Sequence, residues 1–267
     1  MDIEKDKIQR DQLAYSMLRR VIIRADFTSM LDTDKMVSLL NEESWFNEVF
    51  NNYSKLQILE DNRRTNDSSE ENTSKRYVRR FNDCVTTLER PERNVILDIT
   101  DESVCVDIQC DDKYTKIDAY LLLAIDIIIF IICHDKYVKL NRLAIRKFDA
   151  QNFPTSKAAD EVFEYFDQNI MDFTSDAYWQ RTYTDNFIFG KTKVKVNYTR
   201  MIKISDKADE MFMFVLDIDT FLDSDMIENK RPGKEDLTII FFDRLNNASF
   251  DLFKRGVKLE FLKSKMK

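Results

Sequence analysis

The chain has 267 residues, 43% of them hydrophobic and 33% charged, with a formal net charge of -7; this is a globular composition with a strongly ionised surface, long enough for one large domain or two of ~100 to 200 residues. The acidic balance disfavours general affinity for nucleic acid, because it repels phosphate backbones. Three glycines (Gly190, Gly233 and Gly256) are too few and too scattered for a glycine-rich phosphate loop, and a single histidine, His134, removes most imidazole-dependent chemistry.

Residues 1–12 are charged, and the first firm element is a strand over 16–27, where Val21, Ile23, Ala25 and Phe27 alternate with Arg20, Ile22, Arg24 and Asp26. From Asp34 the apolar residues take helical spacing, with Met36, Leu39 and Leu40, then Trp45, Phe46, Val49, Phe50 and Tyr53, interrupted near 41–44. Residues 60–75 hold no aliphatic or aromatic side chain, so they cannot offset the entropy of ordering and predict a mobile surface loop. Strand-like runs follow at 77–88, 94–100 and 103–110, the last two joined across Asp101 and Glu102 as a tight hairpin.

The run from Tyr120 to Cys133 is apolar almost throughout. It is shorter than the ~20 residues a membrane span needs and carries Asp126 at its centre, so it predicts a buried central helix over about 115–134. A strand at 137–148 sets Leu143 and Ile145 among Arg142, Ala144 and Arg146. After Pro154 a helix capped by Thr155 or Ser156 is expected, with Val162, Phe163 and Phe166 inward. Strands at 177–189, 191–204 and 211–219 come next, the first two turning at Gly190. Pro232 and Gly233 then lead into a long closing helix over 234–262.

Residues 77–134 and 177–262 thus each read as three strands followed by a helix. The expected architecture is α+β in two halves, 1–150 and 151–267, each a mostly antiparallel sheet with packed helices. The cysteines (Cys84, Cys105, Cys110 and Cys133) form no CxxC pair and no secretory leader pattern opens the chain, which favours a cytoplasmic setting. Cys105 and Cys110 stand an odd number apart on one strand and face opposite ways, so all four read as small core residues.

Four candidate constellations carry chemistry. Arg20 and Arg24 lie four apart on one strand, as do Arg142 and Arg146 on another; were the strands neighbours, four guanidinium groups would line one sheet face and could seat an acidic ligand or a carboxylate-bearing partner, or simply bridge to nearby aspartates. Asp217 and Asp219, two apart on a strand and followed by Asp223 and Asp225, project on one face as the carboxylates of divalent-metal sites do, although the EF-hand pattern fails. Asp98 and Asp107 occupy the polar face of the central hairpin, where solvent is the simple explanation. Cys133 and His134 are adjacent at a helix end and point about 100° apart, so His134 reads as a partner of the helix dipole. The basic residues near the end (Lys254, Arg255, Lys258, Lys263, Lys265 and Lys267) have the same explanation.

The order of motifs resembles a sporadically distributed bacterial family of unassigned function. It is carried by the strand Leu18-Arg19-Arg20-Val21-Ile22-Ile23-Arg24-Ala25-Asp26-Phe27, the helix start Tyr114-Thr115-Lys116-Ile117-Asp118-Ala119-Tyr120-Leu121 and the strand Arg142-Leu143-Ala144-Ile145-Arg146-Lys147-Phe148-Asp149. Leu216-Asp217-Ile218-Asp219 and a closing helix with Phe250 and Phe253 complete it. The sequence departs from the family at Lys147 and Asp149, where tyrosine and asparagine are more usual. The resemblance implies a bacterial cytoplasmic protein encoded near mobile elements or defence genes, and brings no catalytic residues with it. The resulting expectation is a non-enzymatic recognition, sensor or assembly component of a gene pair, without a cofactor or a membrane. It would bind a protein encoded nearby, or an acidic ligand, through the arginine strands, and self-association is open to it. The alternative is a divalent-metal-dependent enzyme acting on phosphodiesters or nucleotides, with Mg²⁺ at Asp217 and Asp219.

Overall fold

The computed structural model describes residues 3–13, 17–29, 31–49, 53–62, 73–82, 94–110, 117–154, 162–164, 180–204 and 212–266. It is an α+β protein built on one nine-stranded sheet. In chain order the strands are β1 (Leu18–Phe27), β2 (Tyr53–Asn62), β3 (Thr73–Asn82), β4 (Asn94–Thr100), β5 (Ser103–Gln109), β6 (Leu140–Phe153), β7 (Gln180–Phe189), β8 (Val194–Ile204) and β9 (Phe212–Asp223). Across the sheet the order is β2-β3-β4-β5-β1-β6-β9-β8-β7, and every neighbouring pair is antiparallel.

The expected division into two sheets is replaced by this single one. The 150/151 boundary falls inside β6, which pairs with β9 from Arg142↔Asp223 to Phe153↔Phe212 and so joins the two parts of the chain. The larger apolar cluster likewise mixes them, with Val21, Val106 and Ile145 beside Val196, Ile218 and Phe241. β1 arrives from the N-terminal side and inserts between β5 and β6, a long-range pairing that local patterns do not encode.

Local chemistry explains the elements. In β1 the side chains of Val21, Ile23 and Ala25 are buried while Arg20 and Arg24 face out, the two-residue period of a sheet covered on one side. The β4–β5 turn is held by Thr100, whose Oγ1 accepts from the backbone N–H of Glu102 (3.2 Å) and Ser103 (3.0 Å). The strand expected at 77–88 begins earlier, at Thr73, and β2 takes up Tyr53 and residues 60–62; the rest of the expected mobile loop lies outside the described residues. The helix expected after Pro154 also lies mostly outside them, and Phe163 makes an isolated bridge to Val257.

The described helices cover one face. After the short α1 (Ile3–Asp6) come α2 (Thr33–Glu42), capped by Asp32 accepting from Lys35 N–H, and α3 (Ser44–Val49), separated by the expected break. The central helix α4 (Asp118–His134) buries Tyr120, Leu121, Ile125, Ile127, Ile128 and Ile131, and among the described residues no helix is long and apolar enough to cross a membrane. Its one interior acid, Asp126, is half exposed and pairs with Lys234. At its C-terminus Arg231 donates to the carbonyls of Ile132, Asp135 and Val138, the first of them an orphan of the helix's last turn, and His134 stacks on Phe130 with its Nδ1 against the Phe130 carbonyl.

The closing helix is less regular than its periodicity suggests. α5 (Lys234–Thr238), a π-helical stretch (Ile239–Asn246) and α6 (Asn247–Gly256) follow one another with helical backbone at both junctions. The chain then becomes extended at Val257 before α7 (Leu259–Ser264). Gly256 is needed at that point, because a Cβ there would fall on the hydroxyl of Tyr198. In the β7–β8 turn the positive φ (50°) belongs to Lys193 and not to Gly190, and Arg244 of the π-helical stretch donates to the carbonyls of Thr192 and Lys193.

Candidate recognition face

β1 and β6 are neighbours, in the register Arg20↔Phe148, Ile22↔Arg146, Arg24↔Ala144 and Asp26↔Arg142. Because directly opposite residues share a face, Arg20, Arg24, Arg142 and Arg146 all lie on the side of the sheet away from the described helices. β9, on the other flank of β6, brings Asp219 opposite Arg146 and Asp217 opposite Phe148 on that same side. The two candidate sites read separately from the sequence are therefore one surface.

Each arginine has a carboxylate. Arg146 makes a two-pronged contact with Asp217, Nε to Oδ1 at 2.8 Å and Nη2 to Oδ2 at 2.5 Å. Arg142 Nη2 reaches Asp219 Oδ2 at 2.8 Å, and Asn197 Nδ2 donates to the same oxygen at 3.2 Å. Arg20 grips Asp107 with two bonds of 2.8 and 2.6 Å, and Arg24 Nε bonds Asp26 at 2.6 Å. Asp223 and Asp225, at the strand end, share Lys195 at 2.6 and 3.5 Å. Bridging to local aspartates, not bare positive charge, is what this face displays. Asp107, read as merely solvated, is a partner in it.

Aromatic rings complete the scaffold. The Arg142 guanidinium lies 4.4 Å from the centroid of Phe221, and Phe148 receives guanidinium groups from both sides, Arg146 at 4.7 Å and Arg20 at 5.7 Å. The hydrogen bonds to Asp107 and Asp217 hold Arg20 and Arg146 above the ordinary guanidinium range; for Arg24 burial works the other way and Asp26 outweighs it. Burial raises the Asp219 carboxyl despite the pull of Arg142 and Arg146. The carboxylates sit low, Asp217 at 10% and Asp107 at 15% side-chain exposure, while Arg146 and Arg20 keep 45% and 47%. The surface therefore offers the flat outer sides of fixed guanidinium groups with their countercharges beneath.

That arrangement narrows the chemistry. A small anion would have to displace an aspartate already in place, and a dication at Asp217 and Asp219 would have to break the bonds from Arg146, Arg142 and Asn197. Among the described residues no group of three or more His, Cys, Asp or Glu side chains is arranged to hold a metal ion. Cys105 lies on the same face, its thiol pushed up to about 12 by burial first and then by Asp107 and Asp98, so it is not an activated nucleophile. Cys110 packs against the core on the other side, as the odd spacing required, and Cys133 is exposed; Cys84 lies outside the described residues.

A second polar group escaped the sequence reading. Lys147 and Asp149 follow Arg146 and Phe148 on β6 and so turn to the helix-covered face, where both are buried. Lys147 Nζ donates to Asn246 Oδ1 at 2.7 Å, at the end of the π-helical stretch. Burial lowers the Lys147 amine and raises the Asp149 carboxyl, so each is driven toward its neutral form. The signal was present: if Arg142 and Arg146 point out, the two-residue period sends Lys147 and Asp149 in with Leu143 and Ile145. No family model, no curated protein and no solved structure matches this chain.

Proposed function

We propose that this protein is a non-enzymatic recognition component that binds another protein across the face formed by β1, β6 and β9. The observation that supports it is the fixed set of four paired, partly exposed guanidinium groups, two of which pack on Phe148. Arginine and aromatic side chains dominate binding energy at protein interfaces. Holding them in place beforehand lowers the ordering entropy that association must overcome. A protein partner fits better than a small anion, since it can engage guanidinium groups and their aspartates together without removing either. The resemblance to a bacterial family found beside defence genes points to a neighbouring gene as the source of that partner.

The test is co-purification with the product of the adjacent gene. Arg142→Lys together with Arg146→Lys keeps both charges but loses the planar fork. Capture should fall by ~tenfold or more, equivalent to ~1.4 kcal/mol, while the melting temperature stays close to that of the parent. Undiminished capture by Arg142→Glu with Arg146→Glu would remove the reading.

A further inference from the structure

The far edge of the sheet is unusual. Among the described residues β7 pairs with β8 alone and ends the strand order, and its ten-residue register with β8 runs from Gln180↔Lys203 to Phe189↔Val194 without a bulge. Every residue from Thr182 to Ile188 is exposed, on both sides of the strand. Yet the strand reads QRTYTDNFIF and exposes large apolar side chains, Tyr183 at 41%, Phe187 at 38% and Ile188 at 62%. Edge strands are ordinarily kept from pairing by being short, by bulges, by proline or by charged side chains. β7 has ten residues with no bulge and no proline, and the charge at its centre, Asp185, is already paired with Arg200 of its own copy.

We infer that β7 pairs with β7 of a second copy of this chain, antiparallel about a two-fold axis at Asp185. Directly opposite residues in an antiparallel pair share a face, so this register is self-complementary. On one side Tyr183 meets Phe187 of the second copy, twice over. On the other, Thr184 meets Asn186 and Thr182 meets Ile188. The like charges brought together at the axis are compensated within each copy, because Arg200 Nη2 holds its own Asp185 at 2.6 Å. An unrelated strand would have to supply matching residues at each of these positions, whereas a second copy carries them already. The two-fold axis stands perpendicular to the sheet and leaves both arginine-bearing faces on the same side of the doubled sheet. This assignment rests on β7 alone and stands whether or not those faces bind a partner.

Sedimentation equilibrium of the full chain, with hydrogen exchange read at both ends of the concentration range, tests it. A dimer is expected, with β7 amides protected only when dimer predominates. Phe187→Lys with Ile188→Lys should weaken association ~30-fold or more, from the loss of two aromatic cross-strand pairs and the added charge, with an unchanged far-UV spectrum and, at concentrations where the parent is monomeric, an unchanged melting temperature. If that pair of changes disturbs the fold, Asn186→Lys makes the same measurement at a residue that is exposed in the single copy and lies opposite Thr184 in the pair. A chain that stays monomeric up to ~1 mM, a dimer whose β7 amides exchange as fast as the monomer's, or a dimer indifferent to these lysines would each overturn the assignment.

Discussion

Lys147 and Asp149 occupy the covered face of β6 with 8% and 5% exposure, beside Asn246 and beneath the π-helical stretch. Two ionisable groups placed there cannot both be ordinary ions without a large desolvation penalty. Burial pushes the amine down and the carboxyl up, while each acts on the other to oppose that shift. Removing one member takes away the buried polar group that faces the other, although Lys147 keeps Asn246, so Lys147→Met and Asp149→Leu should each destabilise by ~2 kcal/mol. The double variant should recover most of that loss, since apolar residues of similar size need no countercharge. Urea denaturation of the parent and the three variants gives the coupling directly. Additive losses would mean that the two side chains are not energetically linked. The contrast with the outer face is physical: there Arg146 keeps nearly half its side chain in water and pairs with Asp217, the cheaper way to hold a charge on a sheet.

The closing helix and β8 meet at Gly256 and Tyr198, where an element boundary depends on a single missing side chain. The Tyr198 side chain is partly buried, and burial raises its hydroxyl well above the ordinary phenol range. Its oxygen fills the space a Cβ at residue 256 would need. Gly256→Ala should therefore destabilise by ~2 kcal/mol through overpacking. Tyr198→Phe in the same chain should restore part of it by removing the oxygen, and Leu216 Cδ1, 3.1 Å from the same Cβ position, keeps the recovery incomplete. Thermal denaturation of the single and double variants decides the matter; an equal loss in both would place the strain elsewhere. This junction also marks how far the elements were legible in the sequence. β1, β4, β5 and β6 follow from apolar periodicity, because each buries one definite face, and α4 follows from its long apolar run, although Leu122 and Cys133 on it are exposed. The closing helix was legible as one helix, but its π-helical register and the break after Gly256 come from what packs on it, namely Arg244 on the β7–β8 turn, Lys147 on Asn246 and Tyr198 on Gly256. The four arginines and two aspartates could be picked from the sequence by spacing. Their meeting on one face could not, because it depends on β1–β6 and β6–β9 pairings between distant segments.

At the scale of the molecule, the single sheet changes what a half of the chain can be. β6 lies between β1 and β9, and its pairing with β9 covers a longer run of register than its pairing with β1. Leu143 and Ile145, though contributed by the first half, are buried in a cluster completed by Ile218, Leu222, Phe241 and Leu245 from the second. Cutting the chain after β6 would bare those side chains together with the whole β9-facing edge of β6. It would also deprive Arg142 and Arg146 of Asp219 and Asp217, and α4 of the Arg231 that bonds its terminal carbonyls. An apolar, long and unpaired edge of that kind invites aggregation. Residues 1–153 expressed alone should therefore be insoluble or molten, with helical far-UV signal but little near-UV structure. The full chain carrying Trp179→Phe should unfold in one transition seen alike by circular dichroism and by fluorescence of Trp45, which stands on α3 against Phe130 of α4 and packs on the larger cluster. A soluble 1–153 fragment with a sharp melt, or two separated transitions in the full chain, would instead return the molecule to a pair of independent halves. The shared strand β6 argues against that, because neither side can keep it and close its own core.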